Sequence, residues 1–446
     1  MINKYLTDTI SAIATPIGNG GVSIVRLSGP DAFKIIDKMF SSQNLTAGKI
    51  YHGWVMENNS KLDEVIVLPF KAPNSYTGED VIEIQCHGGI HITNKILDLT
   101  IQNGARYAEK GEYTKRAFLN GKMDLSQAEA VLDLIHAQTE KFAVSSAKNL
   151  FGKLSIEIAN IRKEIMDLLS RIIAAVDFPE DVAEPDYSFI EDTIEKIIEK
   201  INYILSFSKS SNIYRQGIKI VLAGRPNVGK SSLFNALLNL ERAIVTDIEG
   251  TTRDTIEDSF MLEDIKINLI DTAGIRNTDD KVEKIGVDKA KSLINQADIV
   301  LFLIDSSREY SKEDEEIYNS IQGTKYIVLK TKSDLEPVVN KTFDGEIEIS
   351  TTSGDGFEKL KTRMLELTKI SNIPSDSLII TNERHKNALM RAKESLFRAI
   401  ENINEDTLDL VSIDIKQAYL DIGEITGNTT SEEIIDSIFK KFCLGK

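Results

Sequence analysis

The chain has 446 residues, 41% of them hydrophobic and 27% charged, with a formal net charge of −16. Those values describe an ordinary globular protein of about three domains. No apolar run of about 18 residues is present to span a membrane, and Met1 to Thr15 lacks the basic-then-apolar pattern of a secretory signal. Only two cysteines occur, Cys86 and Cys443, which argues against a disulfide framework and suits a reducing cytoplasm. The acidity opposes non-specific adhesion to nucleic acid, so contact with RNA requires a local basic patch or a partner's surface.

Residues 1 to about 118 mix short β-type runs with glycine-rich turns. Val22 to Val25, Val65 to Leu68 and Val81 to Ile84 read as strands, and Gly20, Gly21, Gly88 and Gly89 as turns that allow close backbone approach. From about residue 122 the pattern is helical. Ser126 and Glu129 have the spacing of a capping box, with Val131, Leu134 and Ile135 following on one face. Helical sequence runs past Ile173 to an acidic, proline-containing break, Asp177 to Asp186, and resumes from Ile190 to Ile204.

Residues 217 to 370 alternate strands and helices, as a doubly wound α/β domain does. Ile218 to Ala223 leads into Gly224-Arg-Pro-Asn-Val-Gly-Lys-Ser231, the pattern of a phosphate-binding loop. Its glycines let backbone N–H groups converge on phosphate oxygens, and the helix from about Ser231 aims its positive end at them. Lys230 offsets phosphate charge, and the Ser231 hydroxyl suits magnesium. Gly250-Thr251-Thr252-Arg-Asp254 stands where the first switch belongs, with Thr252 as the expected magnesium ligand. Ile265, Ile267 and Leu269 alternate toward Asp271-Thr272-Ala273-Gly274, where Asp271 can hold magnesium through water and the Gly274 N–H can sense a γ-phosphate. The next residue is Ile275, where many GTPases place a water-orienting Gln, so another group must orient the water; Asp279, Asp280 and Glu283 are the acidic candidates.

Ile299 to Ile304 is a continuous apolar run, as a parallel strand covered on both faces requires. After a strand ending at Leu329 comes Thr331-Lys332-Ser333-Asp334. The Asp334 carboxylate can accept from guanine N1–H and the 2-amino group, a pair adenine lacks, which selects GTP over ATP. This motif ordinarily opens with Asn, and Thr331 departs from it. Ser350 to Gly356 supplies the last base-side loop. The motifs place Asn227, Val228, Gly229, Lys230, Ser231, Ser232, Thr251, Thr252, Asp271, Thr272, Ala273, Gly274, Thr331, Lys332, Asp334 and Ser350 in the expected nucleotide-binding set. After residue 375 the helical pattern returns, with a second capping-box spacing at Thr430 and Glu433 before Ile434, Ile435, Ile438, Phe439 and Phe442. The simplest topology is one helical domain in two segments with the α/β domain inserted between them.

Several segments resemble the bacterial tRNA-modification GTPase family MnmE, also called TrmE. They are Ala14-Thr-Pro-Ile-Gly-Asn-Gly-Gly-Val-Ser-Ile-Val-Arg26, Pro73-Asn-Ser-Tyr-Thr-Gly-Glu-Asp80, His87-Gly-Gly89, Thr114 to Lys122, Asp124 to Ala130, and the terminal Cys443-Leu-Gly-Lys446. The nucleotide motifs fit many GTPases; the N- and C-terminal segments carry the resemblance. It implies an N-terminal α+β folate-binding and dimerisation domain over residues 1–118, a discontinuous helical domain over 119–213 and 373–446, and an inserted GTPase domain over 214–372. It implies a homodimer working with a flavin-containing partner, MnmG, on the wobble uridine of tRNA. The pair would install an aminomethyl or carboxymethylaminomethyl group at C5, with a one-carbon unit from 5,10-methylenetetrahydrofolate or 5-formyltetrahydrofolate.

By the same resemblance Arg26, Glu83, Lys122 and Lys446 touch the folate. Asn227, Thr246, Ile248 and Thr251 hold a potassium ion beside the phosphates, where other systems insert an arginine finger. Glu283 positions the attacking water, and Cys443 belongs to the terminal catalytic motif. Two other readings fit parts of the sequence. One is a GTPase switch in ribosome or RNA assembly without modification chemistry, for which no Lys- and Arg-rich appended domain is evident. The other is a folate binder with a decayed GTPase domain, which intact Lys230, Ser231, Asp271 and Asp334 oppose.

Overall fold

The computed structural model describes residues 7–178, 180, 186–207, 213–240, 257–271, 292–368, 380, 382–403 and 407–446. In chain order its first elements are β1 (Ile10–Ile13), β2 (Gly20–Ser28), α1 (Ala32–Met39), β3 (Tyr51–Glu57), β4 (Ser60–Phe70), β5 (Val81–Gly88), α2 (Ile90–Gln102), β6 (Arg106–Tyr107), α3 (Glu112–Leu119), α4 (Leu125–Ile135), α5 (Glu140–Leu150), α6 (Lys153–Asp177) and α7 (Tyr187–Ser206). They are followed by β7 (Ile218–Ala223), α8 (Lys230–Leu240), β8 (Glu257–Leu262), β9 (Ile265–Asp271), β10 (Ile299–Asp305), α9 (Lys312–Ser320), β11 (Tyr326–Thr331), β12 (Ile347–Ile349) and α10 (Phe357–Thr368), and then by α11 (Glu383–Glu401), α12 (Leu408–Thr426) and α13 (Glu432–Phe439). No helix among the described residues is long and apolar enough to cross a membrane.

The chain forms two compact units. One gathers Met1–His136, Ser146–Asn202 and Asn382–Lys446; the other gathers Ala137–Ser145 and Tyr203–Thr381.

The first unit contains a sheet of order β3-β4-β5-β2-β1-β6. Alternation along its strands sends Val25, Leu27, Ile82 and Ile84 into a core with Ile35, Ile36 and Met39 of α1 and Ile96 and Leu97 of α2. The intervening residues Arg26 and Glu83 stand on the other face, directly opposite one another in the antiparallel β2–β5 pairing. Gly20, Gly21 and Gly88 lie in these strands rather than in turns. Gly88 is required there because a Cβ would sit 2.3 Å from the Gly20 carbonyl oxygen. Among the helices of this unit, α6 buries Leu154, Ile158, Ile161, Ile165, Leu168 and Ile172 at helical spacing and packs on α12 and α4. The alanines Ala388, Ala392 and Ala399 let α11 pack closely on α12.

Of the two capping boxes read from the sequence, one is displaced and the other does not form. The first is Asp124 with Gln127, two residues before the expected pair, and both reciprocal bonds are present. Asp124 wins because its carboxylate also accepts from Ser126 Oγ at 2.7 Å. The buried face of α4 is accordingly Leu125, Ala128 and Val131, while Leu134 and Ile135 are exposed. At α13 the N-cap is Ser431, with no side-chain cap bond, because the Thr430 hydroxyl donates to the Glu424 carbonyl at 2.9 Å instead.

The second unit is built on the order β12-β11-β10-β7-β9-β8, parallel except for the β8–β9 pair. All seven residues of β10 are buried, which is why that run carries no polar alternation. From β7 the chain goes first to β8 and β9 on one side and then to β10, β11 and β12 on the other. The strand order therefore reverses between β7 and β10, and a ligand crevice forms at the carboxyl ends of strands flanking such a point. β11 runs two residues beyond the expected end at Leu329, so Thr331 is its last residue. Ala137–Ser145 joins this unit: Phe142 enters the core, and the Glu140 and Lys141 N–H groups donate to the Asp264 carboxylate at 2.8 and 2.9 Å.

Candidate functional site

The loop after β7 winds through left-handed backbone at Asn227 (φ 63°) and Gly229 (φ 96°). At Gly224 (φ 154°) a side chain would strike the Leu303 carbonyl oxygen at 2.7 Å, so the loop lies against β10. The buried Lys230 ammonium donates to the carbonyls of Gly224 and Arg225 at 2.8 and 2.7 Å, which holds it across the mouth of the loop. Arg225 in turn donates to Ser311 Oγ at 2.5 Å and faces the Asp314 carboxylate at 3.4 Å. Those two residues form the capping box of α9, a partner that sequence reading missed although its Ser-x-x-Asp spacing is visible.

Ser231 at the start of α8 and Asp271 at the end of β9 come from strands and loops 40 residues apart, yet Ser231 Oγ donates to Asp271 Oδ2 at 3.2 Å. A hydroxyl suits an octahedral magnesium ion directly, and a carboxylate beside it can hold one of the ion's waters, so this pair fits that ion, with α8 pointing its positive N-terminus at the same place.

At the base end Ser350 Oγ donates to Asp334 Oδ1 at 2.6 Å, which turns the other carboxylate oxygen outward to accept. Ser350 is itself held, its Oγ accepting from the Thr352 and Ser353 N–H groups at 3.2 Å each. Lys332, in left-handed backbone, donates to Asp305 Oδ2 at 2.6 Å. Burial would raise the Asp305 carboxyl, but the Lys332 ammonium and the Ser307 donors outweigh it and hold the group below the usual carboxylate range. Asp305 ends β10 beside Thr331 in the parallel register, so this ion pair was invisible before the strands were placed.

A second polar cluster lies in the first unit. Arg26 makes a 2.8 Å ion pair with Glu83, both largely buried, and its guanidinium lies 5.6 Å from the ring centroids of Tyr76 and Tyr113. Arg26 also donates to the Gly445 carbonyl at 3.4 Å. The terminal segment is docked there by its backbone. Gly445 has φ 87°, and a Cβ on it would meet the Ile13 carbonyl oxygen at 2.2 Å; the Gly111 N–H donates to the Cys443 carbonyl at 3.4 Å. The structure thus brings Arg26, Glu83 and the tail together. The Cys443 side chain is exposed. Lys122 donates to the Pro73 carbonyl at 3.1 Å, and its stem lies against Gly78, which places it on the Pro73–Asp80 segment. Tyr76 and Tyr113 were not singled out from the sequence; nothing marks a tyrosine as a guanidinium support before the β2–β5 face is assembled.

A family model described as "MnmE helical domain" matches residues 125–443, and one described as "GTP-binding protein TrmE N-terminus" matches residues 9–122. The "tRNA modification GTPase MnmE" of Desulforamulus reducens is 43% identical over 462 residues, covering 99% of this chain and 100% of the relative. That of Thermoanaerobacter pseudethanolicus is 45% identical over 457 residues, covering 98% and 99%. The chain belongs to the MnmE family of tRNA modification GTPases.

MnmE membership makes this a GTP hydrolase that takes GTP with magnesium, on the α/β and helical fold expected from the sequence. The GTPase motifs are only partly within the described residues. Thr246, Ile248, Thr251, Thr252, Thr272, Ala273, Gly274 and Glu283 lie outside them, as do Asp279 and Asp280. Asn227, Val228, Gly229, Lys230, Ser231, Ser232, Asp271, Thr331, Lys332, Asp334 and Ser350 lie inside, all in the second unit.

Proposed function

We propose that this MnmE-family chain is a potassium-activated GTPase that works with the flavin-containing subunit MnmG. Together they would install an aminomethyl or carboxymethylaminomethyl group on C5 of the tRNA wobble uridine, using a reduced-folate one-carbon unit. In this reading residues 1–118 form the folate-binding and dimerisation domain, 119–213 with 373–446 the helical domain, and 214–372 the GTPase domain. The observation that carries it is the pairing, in one family member, of a phosphate loop at the strand-order reversal with an Arg26–Glu83 pair on which the terminal Cys443–Lys446 segment docks.

The chain's own groups divide the work. Asp334, fixed by Ser350, accepts from the guanine edge and rejects adenine. Lys230 and the N-terminus of α8 hold the phosphates, Ser231 and Thr252 would hold magnesium, and Asp271 would hold it through water. Asn227, Thr246, Ile248 and Thr251 would hold potassium against the phosphates. Bound there, the two cations would offset charge developing between the β- and γ-phosphate oxygens. Glu283 orients the attacking water, the role that Ile275 cannot fill. In the first unit Arg26, Lys122 and Lys446 offer cations to folate carboxylates, Glu83 accepts from the pterin edge, and Cys443 lies two residues from the docked Gly445.

The deciding measurement is mass spectrometry of wobble uridine in tRNA from cells with and without this protein. Loss of the C5 group without the protein is the expected result. Unchanged modification would overturn the reading in favour of an assembly switch.

A further inference from the structure

The guanine motif opens with Thr331 where Asn is usual, and the structure gives that side chain a different task. Its Oγ1 lies 2.6 Å from the Val228 carbonyl oxygen and 3.1 Å from that of Ile304. A hydroxyl has one proton to donate, and with two inward carbonyls around it that proton is committed away from the base. The residue is 4% exposed. Its own carbonyl accepts from the Ser306 N–H at 3.0 Å and the Ser306 hydroxyl at 2.5 Å, so the end of β11 is a fixed post.

Val228 sits between the left-handed residues Asn227 and Gly229, types that adopt such backbone readily and so allow the tight turn of the loop. The Val228 carbonyl and the Gly229 N–H belong to one trans peptide plane and point in opposite directions. Holding that carbonyl against Thr331 therefore turns the Gly229 N–H away from Thr331 and fixes the orientation of that peptide in the phosphate loop. Gly229 suits this place by its backbone (φ 96°), which residues with side chains rarely adopt; a Cβ there would only touch Thr331 Cβ at an ordinary 3.8 Å.

We propose that Thr331 is a positioning residue for the phosphates. It ties the loop to β11 through the Val228 carbonyl and leaves guanine recognition to Asp334. This rests on the GTP-binding reading above and refines it: the first residue of the base motif acts on the phosphate end of the ligand. A nucleotide with the same phosphates and a different base should feel its loss equally.

The test uses the full chain and the nucleotides GDP, GTP and ITP, whose hypoxanthine lacks the 2-amino group. Thr331→Val keeps the shape and removes the donor, leaving a buried acceptor unsatisfied. It should weaken GDP, GTP and ITP alike, by about 5- to 30-fold, with faster nucleotide release. Thr331→Ser keeps the hydroxyl and should stay within about threefold of the parent. The GTP-to-ITP affinity ratio should stay constant in both variants and collapse in Asp334→Ala. Unchanged affinity in Thr331→Val, a Ser variant as weak as the Val variant, or a shifted GTP-to-ITP ratio would each overturn the proposal. If the Val variant does not fold, Thr331→Ala removes the same hydroxyl with less bulk and is judged by the same ratio. A parent protein that binds no guanine nucleotide would instead refute the GTP-binding reading.

Discussion

Arg26 has three kinds of neighbour, the Glu83 carboxylate, two tyrosine rings and the Gly445 carbonyl, and each serves a different need of a partly buried cation. The carboxylate balances its charge, the rings present their negative faces, and the carbonyl ties it to the tail. Arg26→Ala should therefore weaken 5-formyltetrahydrofolate binding by about 10- to 100-fold, the loss of a charge-assisted contact, and leave GTP hydrolysis unchanged. Calorimetry beside a turnover assay measures both; undiminished folate affinity would count against the pocket. Cys443 is exposed at the edge of the same cluster, on a segment held by backbone contacts at Gly111 and Gly445 rather than by its thiol. If Cys443 has the proposed chemical role, Cys443→Ser should abolish tRNA modification while sparing GTP hydrolysis and stability, because Ser keeps the size, loses the thiolate, and replaces an exposed side chain. Full modification by the Ser variant, scored by nucleoside analysis after complementation, would refute a chemical role.

At the scale of elements, the informative contact joins α4 to the start of α11. Glu129 of α4 accepts from Asn382 at 2.7 Å and from Arg384 Nη2 at 2.6 Å, and lies 2.6 Å from His385 Nε2. Asn382 is also the N-cap of α11, its side chain accepting from the Arg384 N–H. The clamp thus fixes the point where the chain re-enters the first unit after Thr381. Burial would raise the Glu129 carboxyl, but His385 and Arg384 outweigh it and bring it down to about 2 from an ordinary 4.5. A depressed carboxyl contributes its stabilisation fully above pH 4.5, and that contribution is lost as pH falls from 4.5 toward 2. Glu129→Gln leaves Arg384 without its buried counter-charge and should cost about 3–5 kcal/mol in urea unfolding at neutral pH. The variant should also show a flatter stability profile between pH 4.5 and pH 2 than the parent. A parallel profile would mean that other carboxylates govern the acid transition.

For the whole molecule, the proposed catalytic cation sets the clearest test. Potassium should accelerate GTP hydrolysis and sodium should not, because in the proposed site Asn227 would offer an oxygen to a monovalent cation in the space an arginine finger fills elsewhere. Equal turnover in the two salts at matched ionic strength would remove potassium from the mechanism. The sequence by itself determined the nucleotide chemistry, because a phosphate loop is read from contiguous residues, Gly224 to Ser231, whose roles are local backbone and helix-end effects. It also determined the central strands β7, β10 and β11, because burial on both faces leaves an unbroken apolar run such as Ile299 to Ile304, whereas the three-residue β12 was too short to read. Helix starts were less legible. Ser126 and Thr430 have capping chemistry in any conformation, and only their competitors in space, the Asp124 carboxylate and the Glu424 carbonyl, settled how each hydroxyl is used. The tertiary structure alone decided which distant groups meet: Ser231 with Asp271, Thr331 with Val228, Glu129 with Arg384, and Arg26 with Gly445. Those contacts depend on strand order, register and chain re-entry. A residue's type limits what it can bond to, but it does not say which of the chain's many other groups will be brought within hydrogen-bond reach of it.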